Sequence, residues 1–215
     1  MEIVKKIIDF VMDILETIVF VGSLFIVLYL FIVQPHQVRG ASMDNTFHNG
    51  DYILTSKIAY KFGQIKRGDI IVFKSPKNPD IDFIKRVIAI SGDTIKISDS
   101  NVYINDQILK EPYTTTKTSI FDSGFIADGE VATVPPGYVF VMGDNRPRSS
   151  DSREFGFIPK TDIIGEVFFR YYPPNKIGQI KNPFTTQLTP FPGINLSLEN
   201  FFQYSRRFFF ISVNG

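Results

Sequence analysis

The sequence contains no cysteine, which excludes disulfides, Cys-ligated zinc, iron–sulfur clusters and thiol nucleophiles. It holds only two histidines, His36 and His48, and a Ser-His-Asp triad would have to use one of them. An excess of charge is also missing: 23 Lys and Arg against 22 Asp and Glu leave a net charge of +1. A nearly neutral chain has no electrostatic claim on nucleic acid. What is present is apolar material, 44% of the residues against 21% charged, enough for a buried core. The length of 215 residues suits one domain or two small ones.

The longest apolar run is Thr17 to Val33, TIVFVGSLFIVLYLFIV, with no charge in it. At about 1.5 Å per residue it reaches roughly 25 Å, and adding Ile14 and Leu15 brings it to spanning length. A cleaved signal peptide would have a shorter apolar stretch and a small-residue site after it. Here the run ends in Gln34-Pro35-His36-Gln37, and Asp9, Asp13 and Glu16 precede it. The expectation is a retained transmembrane helix over residues 14–33, after a cytoplasmic segment 1–13. Lys5 and Lys6 lie before the span and only Arg39 shortly after it, which places the N-terminus in the cytosol and the rest outside.

Beyond Pro35 the pattern changes to short runs of Ile, Val, Phe and Tyr. Strands are expected at Asp51-YILTS, Asp69-IIVFK, Asp82-FIKRVIAI, Thr94-IKIS, Val102-YI, Tyr138-VFVM and Ile164-GEVFFRYY. Between them stand turn sequences such as Lys66-Arg67-Gly68-Asp69, Ser91-Gly92-Asp93 and Pro135-Pro136-Gly137. The fold class is mainly β, an N-terminal transmembrane helix followed by a mostly antiparallel sheet domain over 34–173. Residues 111–130 read as a polar insertion between strands. Residues 174–215 form an aromatic-rich tail, with Phe184, Phe191, Phe201, Phe202, Tyr204 and Phe208-Phe209-Phe210, packing on the sheet or lying at a membrane interface.

Without cysteine, the candidate nucleophiles are hydroxyls. Ser42 follows Gly40-Ala41 just past the span, where a small-residue backbone lets a substrate chain approach closely. A serine hydroxyl needs an adjacent base, and an ordinary loop serine is the alternative. Lys85 lies in the apolar run Asp82-FIKRVIAI; strict alternation puts Phe83, Lys85 and Val87 on one face and Ile84, Arg86 and Ile88 on the other. A lysine pointing where hydrophobic partners point loses affinity for its proton and becomes a competent base. The alternative is a surface lysine snorkelling from an edge strand. The third element, Met142 to Gly156, is dense in Asp, Arg and Ser, a composition that can stiffen a loop by hydrogen bonding. A metal or phosphate loop is also conceivable there, although its glycine spacing matches neither a P-loop nor a dinucleotide fingerprint.

In this order the elements closely resemble bacterial type I signal peptidase. The matching boxes are Gly40-Ala41-Ser42-Met43, Asn49-Gly50-Asp51-Tyr52-Ile53-Leu54, Arg67-Gly68-Asp69, Phe83-Ile84-Lys85-Arg86-Val87-Ile88, Ser91-Gly92-Asp93 and Gly143-Asp144-Asn145-Arg146 through Ser149, Asp151-Ser152-Arg153 and Gly156. The resemblance covers about residues 15–173. It implies Ser42 as nucleophile and Lys85 as general base, with Ser149 directing the lysine amine. It further implies Asp144, Arg146, Asp151 and Arg153 as the charged support, and the Ser42 N–H as an oxyanion donor. Val38, Gly40, Met43, Phe47, Phe83 and Ile84 would line a small pocket for Ala at Ala-x-Ala-like sites. The implied partners are exported preproteins and membrane lipid of the bacterial plasma membrane, with no nucleic acid, metal or cofactor. Two positions depart from the common pattern: Asn45 stands where many members have Pro, and Gly40 where some have Ser. Other Ser–Lys enzymes fit less well: self-cleaving SOS repressors lack a membrane span, and no Ser here has Lys three positions later, as penicillin-binding proteins require. Outside enzymes, the alternative is a membrane-anchored, non-catalytic β-domain that binds export partners.

Overall fold

The computed structural model describes residues 1–184. The first element is one continuous helix, α1 (Glu2–Phe31). It extends well before the charge-free run because Asp9, Asp13 and Glu16 do not break a helix; the charges sit among otherwise apolar residues. Its window Glu2–Tyr29 is long and apolar enough to cross a membrane, and none of it is buried within the protein. Apolar side chains exposed along a whole helix are compatible with a lipid solvent rather than water. The helix stops just before Pro35, which cannot donate to an α-helical ladder.

The rest is antiparallel sheet. The strands are β1 (Val33–Gln37), β2 (Tyr52–Ser56), β3 (Ile70–Lys74), β4 (Asp82–Ile90), β5 (Thr94–Ser98), β6 (Asn101–Ile104) and β7 (Gln107–Ile108). They continue as β8 (Val131–Thr133), β9 (Tyr138–Met142), β10 (Ile158–Pro159), β11 (Ile163–Tyr172) and β12 (Gly178–Gln179). Two one-turn α-helices, α2 (Ala59–Phe62) and α3 (Ser152–Phe155), and 3-10 turns at Arg146–Arg148, Lys160–Asp162 and Pro174–Lys176 complete the list among the described residues. The larger sheet runs β1-β2-β11-β3-β4-β9-β10, with β12 paired to β11; the smaller runs β7-β6-β5-β8. All seven strands expected from the apolar runs form. β1 is the additional strand that matters for the site: it tolerates Pro35 because it lies at the sheet edge, where one side of the strand needs no ladder bonds.

The strand β3 is buried on both faces. Ile70 and Val72 join Val38, Met43, Phe47, Ile53 and Val167 on one side. Ile71 and Phe73 join Val87, Val139 and Val141 on the other. A third cluster, including Ile88, Ile95, Ile97, Val102, Phe140 and Met142, ties the smaller sheet to the larger. Each such aliphatic side chain contributes about 1.5–3 kcal/mol when fully buried, so the sheet beneath the Ser42 loop is a rigid floor.

Two segments differ in role from their sequence appearance. Residues 111–130 form no strand, but Glu111, Thr118 and Ser119 bond to arginines of the loop after β9. Residues 174–183 continue the sheet domain: β12 pairs with β11, and the Asn182 amide donates to the Arg67 carbonyl at 2.8 Å and to Asp69 at 2.8 Å. The aromatic tail from Phe191 to Phe210 lies outside the described residues.

Candidate active site

The Ser42 loop follows β1 and is fastened at several points. The Val38 N–H donates to the Asp51 carbonyl at 2.8 Å, and the Gly40 N–H to Asn49 Oδ1 at 3.0 Å. Met43 and Phe47 anchor its base in the core. Two residues take left-handed backbone angles, Gly40 at φ +93° and Asn45 at φ +90°. Proline, locked near −65°, cannot adopt the latter, whereas asparagine tolerates it. The departure at Asn45 is thus matched by a loop conformation of its own, and Met43 stays buried.

From the other side, the loop after β9 grips the Ser42 backbone. The Asn145 N–H donates to the Ser42 carbonyl at 3.0 Å, and its side-chain amide donates to the Ala41 carbonyl at 3.0 Å. Gly143 is needed for this approach: a Cβ there would collide with the Ser42 carbonyl and with the Ser149 side chain.

Lys85 comes from β4, which pairs with β3 over its first part and with β9 from Arg86 onward, so Lys85 is the last residue before the strand enters the sheet interior. The register pairs Lys85 with Ile71 and Phe83 with Phe73, and Phe83, Lys85 and Val87 share the face that alternation predicts. Only 4% of Lys85 is exposed. Its Nζ donates to Ser42 Oγ at 2.9 Å and to the Ile84 carbonyl at 3.0 Å, and lies 5.0 Å from the Phe83 ring centroid. Burial pushes the amine from its ordinary value near 10.5 down to about 8; Asp151 and Asp144 pull it up, and Arg153 adds to the lowering.

The charged support is almost wholly buried. Asp144 receives Arg86 Nε at 2.8 Å and Nη2 at 2.7 Å, and the Thr46 hydroxyl at 2.5 Å. Asp151 caps α3 and accepts from the Gly143 N–H at 3.0 Å and from Arg153 Nε and Nη2, both at 2.8 Å. Arg153 also donates to the carbonyls of Ser119 and Arg146 at 2.7 Å each. Arg146 donates to Glu111, to Thr118 and to the Gly143 carbonyl. Ser149 is buried beside Gly143, and its hydroxyl has no hydrogen-bond partner among the described residues.

Several residues of this network carried no sequence signal. Arg86 shares a face with Ile84 and Ile88 by alternation, which names no partner for it; it is buried under the Tyr113 ring at 4.1 Å and holds Asp144. Arg170, from β11, donates to the Thr46 carbonyl at 2.8 Å and to Asp51 at 3.1 Å, steadying the Ser42 loop from below. The partners lie 18 to 124 positions apart in the chain, and no spacing rule reaches that far.

Beside Ser42 a cavity of about 700 Å³ opens between β1 and the start of β4, with Val38, Gly40, Phe83 and Ile84 in its wall. Met43 and Phe47 lie beneath it in the core cluster that holds Val38.

A serine hydroxyl against a buried lysine amine, on an antiparallel sheet domain led by an apolar helix, has the make-up of membrane-anchored serine hydrolases that use lysine where others use histidine. Comparison with known proteins narrows the class. The family model for signal peptidase, peptidase S26, matches residues 11–172. Signal peptidase IB of Staphylococcus aureus (strain COL) is 32% identical over 189 residues, 81% of this chain and 98% of that protein. Signal peptidase I of Bacillus caldolyticus is 39% identical over 153 residues, 68% of this chain and 83% of that protein. A signal peptidase I crystal structure from Enterococcus faecalis V583 is 34% identical, covers 48% of this chain and 96% of that one, and superposes with a TM-score of 0.40. The chain belongs to the signal peptidase I family, the S26 serine peptidases.

Proposed function

We propose that Ser42 and Lys85 are the catalytic pair with which this chain removes signal peptides from exported preproteins at Ala-x-Ala-like sites. The observation that supports it most is the 2.9 Å contact between Lys85 Nζ and Ser42 Oγ, made by an amine whose burial brings its pKa to about 8. At pH 7 roughly one lysine in ten is then neutral, against roughly one in three thousand at its ordinary value. In the neutral form the contact reverses, and the hydroxyl donates to the amine.

Lys85 takes the Ser42 proton as Oγ bonds to the scissile carbonyl carbon. The tetrahedral oxyanion forms against the Ser42 N–H, a donor worth about 3 kcal/mol in such sites. Collapse breaks the C–N bond, and Lys85 returns the proton to the departing amine of the mature protein. The neutral lysine then takes a proton from water, whose oxygen attacks the acyl ester and frees Ser42.

The sheet also offers a place for the substrate. Among the described residues β1 pairs only with β2, and Asp82–Lys85 pair only with β3, because β9 joins β4 from Arg86 onward. Both unpaired edges border the cavity, so an extended preprotein can lie between them as an added strand. Val38, Gly40, Phe83 and Ile84 then form the wall of the pocket for the small residue before the cut, with Met43 and Phe47 packed beneath it. Asp144, Arg146, Asp151 and Arg153 hold the loop that grips Ser42; Ser149 makes no bond to Lys85 in this structure, and its role is to receive the amine as it turns from the Ile84 carbonyl during reaction. The apolar helix anchors the chain with its N-terminus cytoplasmic and the sheet domain outside the bacterial plasma membrane.

Two measurements bear on these roles. Activity requires the deprotonated amine, so kcat/KM on a synthetic Ala-x-Ala substrate should rise with pH through an acidic limb near 8. A limb only near 10.5 would mean that Lys85 is not desolvated as the base. Ser149→Ala should lower kcat about tenfold or more while leaving thermal stability unchanged or slightly raised, since it removes a buried hydroxyl that has no partner. Unchanged kcat would take Ser149 out of the site.

A further inference from the structure

Of the seven arginines in the described part of the sheet domain, five pair with a carboxylate of the chain itself. Arg67 pairs with Asp93, Arg86 with Asp144, Arg146 with Glu111, Arg153 with Asp151 and Arg170 with Asp51. The other two are Arg39 and Arg148. Both are exposed, and among the described residues neither side chain makes an ion pair or a hydrogen bond. Both line the cavity that holds Ser42 and Lys85. The two guanidinium groups without a carboxylate are thus the two that face the space left for the substrate.

The sheet topology fixes which end of the cavity they occupy. β1, β2, β11, β3 and β4 are successive antiparallel neighbours, so β1 and β4 run in the same direction. Both run toward the catalytic pair: β1 leads into Arg39 and the Ser42 loop, and β4 runs from Asp82 to Lys85. Arg148 ends the turn that begins just after Asn145, whose N–H and side-chain amide hold the Ser42 and Ala41 carbonyls. Pro35, Asp80 and Asp82 therefore mark one end of the cavity, and Arg39 and Arg148 the other. A substrate whose residues before the cut lie along the two strands leaves the arginine end for the residues after it. We propose that Arg148, with Arg39 adding to its field, binds a carboxylate side chain among the first three residues of the mature protein, so that Asp or Glu is favoured there over Lys. This assignment rests on the signal-peptide reading above. Three extended residues span about 10 Å, and a guanidinium offers a planar fork that matches a carboxylate. Because both arginines are exposed, the attraction is modest and falls with salt.

The test uses the full chain in phosphatidylcholine vesicles and preproteins that differ only in carrying one Glu, Gln or Lys at the first, second or third position after the cut. At one or more of these positions the Glu substrate should be cleaved about three- to tenfold faster than the Lys substrate in kcat/KM, with Gln between them. The ratio should fall toward one at roughly 1 M salt, where charges are screened beyond about 3 Å. Arg148→Glu should reverse the order, and Arg39→Gln should shrink the ratio without reversing it. If Arg148→Glu does not fold, Arg148→Gln carries the same comparison and should lose most of the ratio. A Glu-to-Lys ratio at or below one at all three positions would overturn the proposal, as would an unchanged ratio in the Arg148 variant. An unchanged ratio there, with activity lost only in vesicles containing phosphatidylglycerol, would assign the arginine to a lipid headgroup instead. Cleavage of none of the substrates by the unmodified chain would overturn the underlying reading together with this one.

Discussion

Replacing Lys85 with alanine is expected to lower preprotein cleavage by about a thousandfold or more while leaving the sheet domain folded. A positioned general base typically contributes 10² to 10⁴ in rate, and among the described residues the side chain that bonds the Ser42 hydroxyl is Lys85. Folding should not suffer, because a lysine whose amine burial pushes down to about 8 is a burial cost to the native state rather than a gain. Lys85→Arg should be as inactive as Lys85→Ala. The guanidinium does not deprotonate at working pH, so restoring the charge and most of the bulk restores nothing. Substantial turnover in either variant, with normal thermal unfolding, would remove Lys85 from the mechanism.

The second large effect is on stability. Asp151 and Arg153 are both fully buried and bonded to each other twice. Asp151→Ala leaves the Arg153 guanidinium uncompensated in the core and deletes the α3 cap and the bond to the Gly143 N–H. The expected loss is about 3–5 kcal/mol, read as a shift in the denaturant midpoint of the detergent-solubilised chain. The Lys77–Glu154 pair provides the contrast. Its side chains are 49% and 34% exposed, so Lys77→Ala should cost under about 1 kcal/mol. Comparable losses in the two variants would mean that the loop after β9 is not held by its buried charges. The same loop positions Ser149 and grips Ser42, so its loosening should reach the site: Asp151→Ala should lose activity before it loses its fold.

The strand runs and the apolar helix were legible in the sequence because each is a local pattern, whereas Ser42 and Lys85 stood out only through the ordered set of motif boxes in which they lie. Alternation along Asp82–Ile90 even gave the face of Lys85. What alternation does not give is the identity of the neighbouring strands: β9 pairs from Arg86 onward, so Lys85 lies on a free edge and is nevertheless buried. Arg86 shares a face with Ile84 and Ile88 by alternation, which names no partner for it, and Tyr113 and Asp144, which bury it, lie 27 and 58 positions away. The segment 111–130 read as a polar insertion for the same reason: Glu111 and Thr118 are polar because they face Arg146, not because they face water. His36 sits next to Pro35 at the end of the apolar run, where a proline suggests a break. Only the edge position of β1 makes a strand there and turns His36 toward the cavity.

The central claim is that Ser42 attacks the preprotein. The most direct measurement is cleavage of a preprotein bearing an Ala-x-Ala site by the full chain in lipid, beside Ser42→Ala at equal folded concentration. The Ser42–Lys85 account predicts a mature product with the new N-terminus directly after the second Ala, formed by the unmodified chain alone. Equal cleavage by Ser42→Ala, or no cleavage by either folded protein, would contradict it; the latter would leave a membrane-anchored domain that binds export partners without cutting them.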